Sequence, residues 1–234
     1  VDFSGNLNND LGCPQDLGWL ILAEAKNFLE VGVFGQNNTG IDVTVQNLSI
    51  REFNSVALVN DNASLTFDNF TATDTWNTIG CAAEGLIGAG AGASLTLKNS
   101  KFDVLETWTF AAGGSAIVGF GVGDLTIENC EFSNFSKREQ FAIFWGGVSG
   151  SKVNIVSSIF SAAGGIWITD DVSETNIVNS IWVNDFIGSP RWGDRIENES
   201  IGDMNIIASS LRWQGNDCED KEGITLCAAY GIDN

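Results

Sequence analysis

The sequence predicts an all-β fold, a solenoid of about seven coils with an N-terminal capping α-helix. Three observations predict it. An eight-residue phrase recurs seven times, its residues alternate between apolar and polar, and its fifth position is most often asparagine. The copies are VTVQNLSI from Val43, LTFDNFTA from Leu65, LTLKNSKF from Leu95, LTIENCEF from Leu125, VNIVSSIF from Val153, TNIVNSIW from Thr175 and MNIIASSL from Met204. Successive copies lie 22, 30, 30, 28, 22 and 29 residues apart. A β-solenoid tolerates such uneven lengths, because extra residues leave each coil as loops while the strands stay in register.

Positions one and three of the phrase are apolar in nearly every copy and position two is Thr or Asn, which is the period-two pattern of a strand with one buried face. The fifth position forms a predicted structural ladder of Asn47, Asn69, Asn99, Asn129 and Asn179, with Ser157 and Ala208 as variants. Asn tolerates the left-handed conformation a sharp bend requires, and its amide can bond the same group one coil away. The eighth position reads Ile50, Ala72, Phe102, Phe132, Phe160, Trp182, Leu211, an inward column with four consecutive aromatics. Phe70, two residues before Ala72 on the same face, fills the space that alanine leaves.

This arrangement of strand, Asn bend and second strand with an inward aromatic resembles the right-handed parallel β-helix of the pectate-lyase-like superfamily, over roughly residues 30–213. The resemblance implies architecture; no catalytic motif of that superfamily is matched. It implies one domain over 1–234, with 14–29 as the helical cap, 30–213 as the coils and 214–234 as a C-terminal cap. A cap at each end is expected because open solenoid edges polymerise. The stretch PQDLGWLILAEAKNFL from Pro14 supplies the first, with Leu17, Leu20, Ala23 and Phe28 near one helix face and Pro at its start.

A third strand per coil lies about ten residues before each phrase: VFGQ from Val33, VALV from Val56, LIGA from Leu86, AIVG from Ala116, FWGG from Phe144 and IWIT from Ile166. One alternating column reads Phe34, Val56, Leu86, Ala116, Phe144, Ile166, and the other Gly35, Ala57, Ile87, Ile117, Trp145, Trp167. Both are apolar, and one must face out. Ile87, Ile117, Trp145 and Trp167 are therefore the expected binding surface. Such a stripe is covered by a loop of the same chain, by another protein, or by a glycan stacked on Trp145 and Trp167.

The charge balance excludes some partners. With 30 acidic and 11 basic residues the net charge is −19, which repels nucleic acid and anionic membrane surfaces. No run of eighteen apolar residues occurs, so no membrane insertion is expected. The absent initiator Met is what removal of a signal peptide would leave, and five cysteines suit an oxidising compartment, so the chain is expected to be secreted, extracellular or on a cell surface. Cys218 and Cys227 bracket a short acidic loop and are one expected disulfide. Cys13–Cys81 is the other, because the cap would bring Cys13 to the early coils. Cys130 replaces serine in the inward column of Ser100, Ser158 and Ser180 and is expected to be a buried free thiol.

Asn37, Asn62, Asn134 and Asn198 begin sequons in predicted loops and are candidate N-glycosylation sites; the sequon residues Asn47 and Asn69 are committed to the ladder. Asp170, Asp171 and Glu174 are the candidate ligands of a Ca²⁺ ion, otherwise no cofactor is expected. A lyase of the related fold would need an Arg or Lys base and a cation for the uronate, for which Arg191 and Arg195 are candidates, and a glycosidase would need two opposed carboxylates. With no His and an uncharged third strand, the sequence points instead to a non-catalytic structural, assembly or adhesion protein that binds itself or another extracellular protein. A carbohydrate-binding or carbohydrate-cleaving protein is the alternative. The rank Thr44, Thr66, Thr96, Thr126 raises ice binding as a third reading, although Thr also suits any solvated strand.

Overall fold

The computed structural model describes residues 2–4, 29–31, 42–51, 56–59, 62–75, 85–90, 92–104, 115–134, 142–161, 165–184 and 196–213. Among them there is no helix, and the strand pairings are parallel, in a larger sheet and a 7-stranded one. The described residues form an all-β parallel solenoid, and its strands stack coil on coil along three faces.

The recurring phrase builds the first two faces. Asp42–Arg51 and Ser64–Thr75 run through both as continuous strands. In later coils the bend separates Ser94–Lys98 from Lys101–Val104, Leu125–Glu128 from Glu131–Ser133, and so on to Asp203–Ile207 and Ser210–Trp213. The register matches like with like: Leu125 pairs with Leu95 and Val153, and Phe132 with Phe102 and Phe160. Asp2–Ser4 pairs with Ser49–Arg51, a strand the sequence did not announce.

The bend residues all adopt the left-handed conformation, with φ between 49° and 56° at Asn47, Asn69, Asn99, Asn129, Ser157, Asn179 and Ala208. The Asn69 amide donates to Asn47 at 2.8 Å, Asn129 to Asn99 at 2.8 Å and Asn179 to Ser157 Oγ at 3.1 Å. Asn99 instead reaches Asp68 at 2.9 Å, so the ladder has a break. Inside the bend runs a second rank. The backbone N–H of Phe70, Cys130, Ser158 and Ser180 donates to the hydroxyl of Ser100, Ser158, Ser180 and Ser209 in the following coil. Each of those four hydroxyls also donates to a carbonyl two residues back in its own chain. Buried backbone groups left unpaired would be costly, and this rank satisfies those that the strands leave at each corner.

The aromatics form the core. Phe102, Phe132, Phe160 and Trp182 are fully buried and stack nearly parallel, with centroids 5.0, 4.7 and 3.6 Å apart. Phe70 is buried and meets Phe102 at 5.8 Å, above the gap left by Ala72. Cys130 is buried and free, and burial pushes its thiol up to about 11.

The third face corrects the sequence alignment. Its strands are Leu29–Val31, Ala57–Val59, Gly85–Gly90, Ser115–Val122, Ile143–Gly147, Ile166–Asp170 and Ile196–Asn198. Ile117 pairs with Ile87 and with Ile143, and Ile143 with Ile166, so the expected alignment is shifted by two residues at Trp145 and by one at Trp167. An even shift keeps a side chain on its face and an odd shift flips it. Ile87, Ile117 and Trp145 therefore point inward, each fully buried, and do not form the outer binding surface the sequence suggested. Trp167 remains outside, in a column with Val118 and Phe144. The inward Trp145 packs over Gly119, where a Cβ would collide with its ring, and its indole donates to the Gly123 carbonyl at 3.1 Å.

Leu29, the last residue of the sequence-predicted helical cap 14–29, belongs instead to the strand Leu29–Val31; the rest of that cap, the residues 214–234, and Cys13, Cys81, Cys218 and Cys227 lie outside the described residues.

Candidate binding face

On the outside of the third face, Phe120, Phe144 and Trp167 come from three successive coils and make a continuous row of rings. Phe120 and Phe144 lie 4.6 Å apart between centroids at 42°, and Phe144 and Trp167 lie 4.7 Å apart at 85°. Phe144 and Trp167 are register partners one strand apart, whereas Phe120, paired with Gly146, reaches Phe144 across the diagonal. Phe120 is 53% exposed and the other two are half-buried, whereas Val118 in the column beside Phe144 is buried.

Local backbone sets the row. Gly121 has φ of 61° and is the extra residue of a bulge, since Phe120 pairs with Gly146 while Val122 pairs with Gly147. A bulge bends its strand and re-aims neighbouring side chains, and glycine accepts this conformation without Cβ strain. Opposite Phe120, Gly146 is buried and lets the Asp170 side chain lie close against the strand. A Cβ there would run into the Asp170 carboxylate and press on Thr169.

The rim is acidic. Asp170, itself in the left-handed region with φ of 61°, and Asp171 are exposed at the end of the Trp167 strand. The Trp167 indole donates to Glu199 at 3.3 Å. Glu199 is held by a compact turn: its N–H donates to Ile168 at 2.8 Å, Asn198 accepts from Ser200, and the Asn198 amide donates to Gly202 at 3.1 Å. Rings, carboxylates and the 75%-exposed Ile201 enclose a shallow groove of about 560 Å³. Among the described residues lining it, none is Lys or Arg. A row of aromatic faces beside fixed carboxylates can hold a ligand by apolar contact and by attraction for positive charge.

The structure separates the proposed Ca²⁺ ligands. Glu174 lies on the first face, where Lys152 reaches it at 2.9 Å, and that ammonium together with the Asn176 amide lowers its pKa. Among the described residues no group of three His, Cys, Asp or Glu side chains is assembled for a metal. Arg191 and Arg195 lie outside the described residues, as does the sequon residue Asn37. Asn62 is exposed with φ of 56°. The amide of Asn134 donates to Asp103 at 2.7 Å, and that of Asn198 is occupied as given above.

Sequence reasoning retained Trp167, set Phe144 in the opposite column and passed over Phe120. A usable signal was GFGVG around Phe120, since glycines within a strand pattern mark bulges and close approaches. No family model, curated protein or solved structure matches the chain.

Proposed function

We propose that the protein is a secreted, non-catalytic assembly or adhesion element whose contact surface is the outer ring row of Phe120, Phe144 and Trp167. The observation behind this reading is that row: three aromatic side chains placed side by side and partly open to solvent on an otherwise acidic chain. Large contiguous apolar patches mark contact sites, and a solenoid provides a stiff frame on which to present one. The finer architecture in this reading is a right-handed β-helix of about seven coils with an N-terminal helical cap. Right-handed crossovers between parallel strands of one sheet are nearly universal, which supports that hand.

The test is the mass of the purified protein by light scattering over a concentration series, together with its retention on immobilised polypeptides and polysaccharides. A mass that grows, or retention, that is reduced by Trp167→Glu supports the reading. A monomer at every concentration that is retained by nothing overturns it. So does turnover of a polysaccharide abolished by Asp171→Ala, which would make the protein an enzyme.

A further inference from the structure

We propose that the ring row is a docking site for a basic segment of a partner protein, with a lysine or arginine side chain seated between the rings and the acidic rim. The inference rests on the reading of the ring row as a contact surface and adds the chemistry of what it contacts.

Ring geometry argues for a cation over a sugar. A sugar stacks flat on an aromatic platform, which needs faces that are close to coplanar. Here Phe144 and Trp167 stand at 85° and Phe120 and Phe144 at 42°, so the rings turn their faces toward different directions and cannot form one plane. A cation needs no plane. It is attracted to each ring face it approaches within about 6 Å, and most strongly to Trp.

Charge argues the same way. Asp170, Asp171 and Glu199 border the rings, and no Lys or Arg stands among the described residues of the lining. Glu199 is fixed by its hydrogen bond from the Trp167 indole, so one carboxylate is already oriented at the tryptophan edge. A second copy of the chain fits poorly. Paired across a two-fold axis, the same acidic rim would meet itself, between molecules that each carry a net charge of −19. The expected partner is a protein with an exposed Arg- or Lys-bearing segment, and the contact should weaken as salt rises.

Any polycation will adhere to so acidic a protein, so the experiment must separate the groove from the field. Fluorescence anisotropy of the full chain is measured with labelled neutral-backbone peptides bearing two arginines or two lysines, beside an uncharged control peptide. Trp167→Ala leaves the net charge unchanged and should weaken binding roughly tenfold, the size of a desolvated cation–π contact. Glu199→Gln, on the exposed rim, should weaken it severalfold, whereas Glu131→Gln, which removes the same charge on the second face, should leave it within twofold. Thermal midpoints of the variants identify any that fail to fold, and Glu199→Gln keeps the test intact if Trp167→Ala is one of them. Equal binding by Glu199→Gln and Glu131→Gln variants overturns the proposal, as does stronger binding of neutral or amino-sugar oligomers than of the basic peptides. If basic peptides do not bind but Trp167→Glu still abolishes assembly or retention, only the ligand class fails. If Trp167→Glu changes nothing either, the contact-surface reading fails with it.

Discussion

The early and late coils turn the same corner with different outer surfaces. Before the bend, one register column runs Gln46, Asp68, Lys98, Glu128 and then Val156, Val178, Ile207. After the bend, another runs Lys101, Glu131 and then Ile159, Ile181. The early coils bridge their charges, with Lys101 and Glu131 at 3.0 Å and Lys98 and Glu128 at 3.7 Å. The late coils leave Ile159, Ile181 and Ile207 exposed. Backbone conformation at the bend is nevertheless the same throughout, down to Ala208, which has φ of 49° and no polar side chain to support it. The stacked coils impose the turn, and the side chains decorate it. Exposed ion pairs are each worth about 0–1 kcal/mol, so replacing them by isoleucine changes what the surface can touch more than it changes stability.

The largest break in that comparison should come from inside. Phe132, stacked between Phe102 and Phe160, is shared by both regions, and Phe132→Ala should cost about 3–5 kcal/mol in urea unfolding. Ile181→Ala on the late outer column should stay within about 0.5 kcal/mol. An equal loss at the two sites would mean that the late apolar column is part of the core.

Cys130 sits where the two regions join, and its pKa makes the join pH-sensitive. Its folded value of about 11 lies above the ordinary 9.0, so folding favours the protonated thiol. The stabilisation is complete below pH 9 and is lost as pH rises through 11, by roughly 2–3 kcal/mol in total. Cys130→Ser places a hydroxyl in the serine rank and should remove this part of the decline when both proteins are melted from pH 8 to pH 11. Matching profiles would show that the thiol is not desolvated in solution.

Effects smaller than the loss of Phe132 test the bend itself. Asn129→Ala gives up a residue suited to φ of 54° together with its bond to Asn99, and should cost about 1–2 kcal/mol. Ala208→Gly relieves the same conformation and should gain up to about 1 kcal/mol. If both substitutions are neutral, stacking alone carries the turn in every coil.

The two phrase-built faces were legible because each column has its own chemical reason. Leu, Phe and Ile alternate with Thr and Asn, the bend needs a residue tolerant of positive φ, and Cys130 could be placed by the serines above and below it. The candidate site was less legible. On the third face both alternating columns are apolar, and the loops before it vary in length, so neither hydropathy nor spacing fixes the register. Trp145 and Trp167 look equivalent in the chain and are not equivalent in space. The acidic rim was visible in part as Asp170 and Asp171, but Glu199 reaches it only because Ile196–Asn198 pairs with the Trp167 strand one coil away.

By itself, then, the sequence determined the solenoid, its bend positions and the aromatic column inside it, because these repeat locally and each copy restates the same requirement. Only the tertiary structure decided which tryptophan faces solvent. The reason is parity: pairing across coils shifts by single residues at a bulge or a loop, and one residue moves a side chain from the core to the surface. That step set Trp167 outside, beside Phe144 and Phe120 with the Glu199 carboxylate at its edge, while Trp145, displaced by two residues, stayed inside with Ile87 and Ile117.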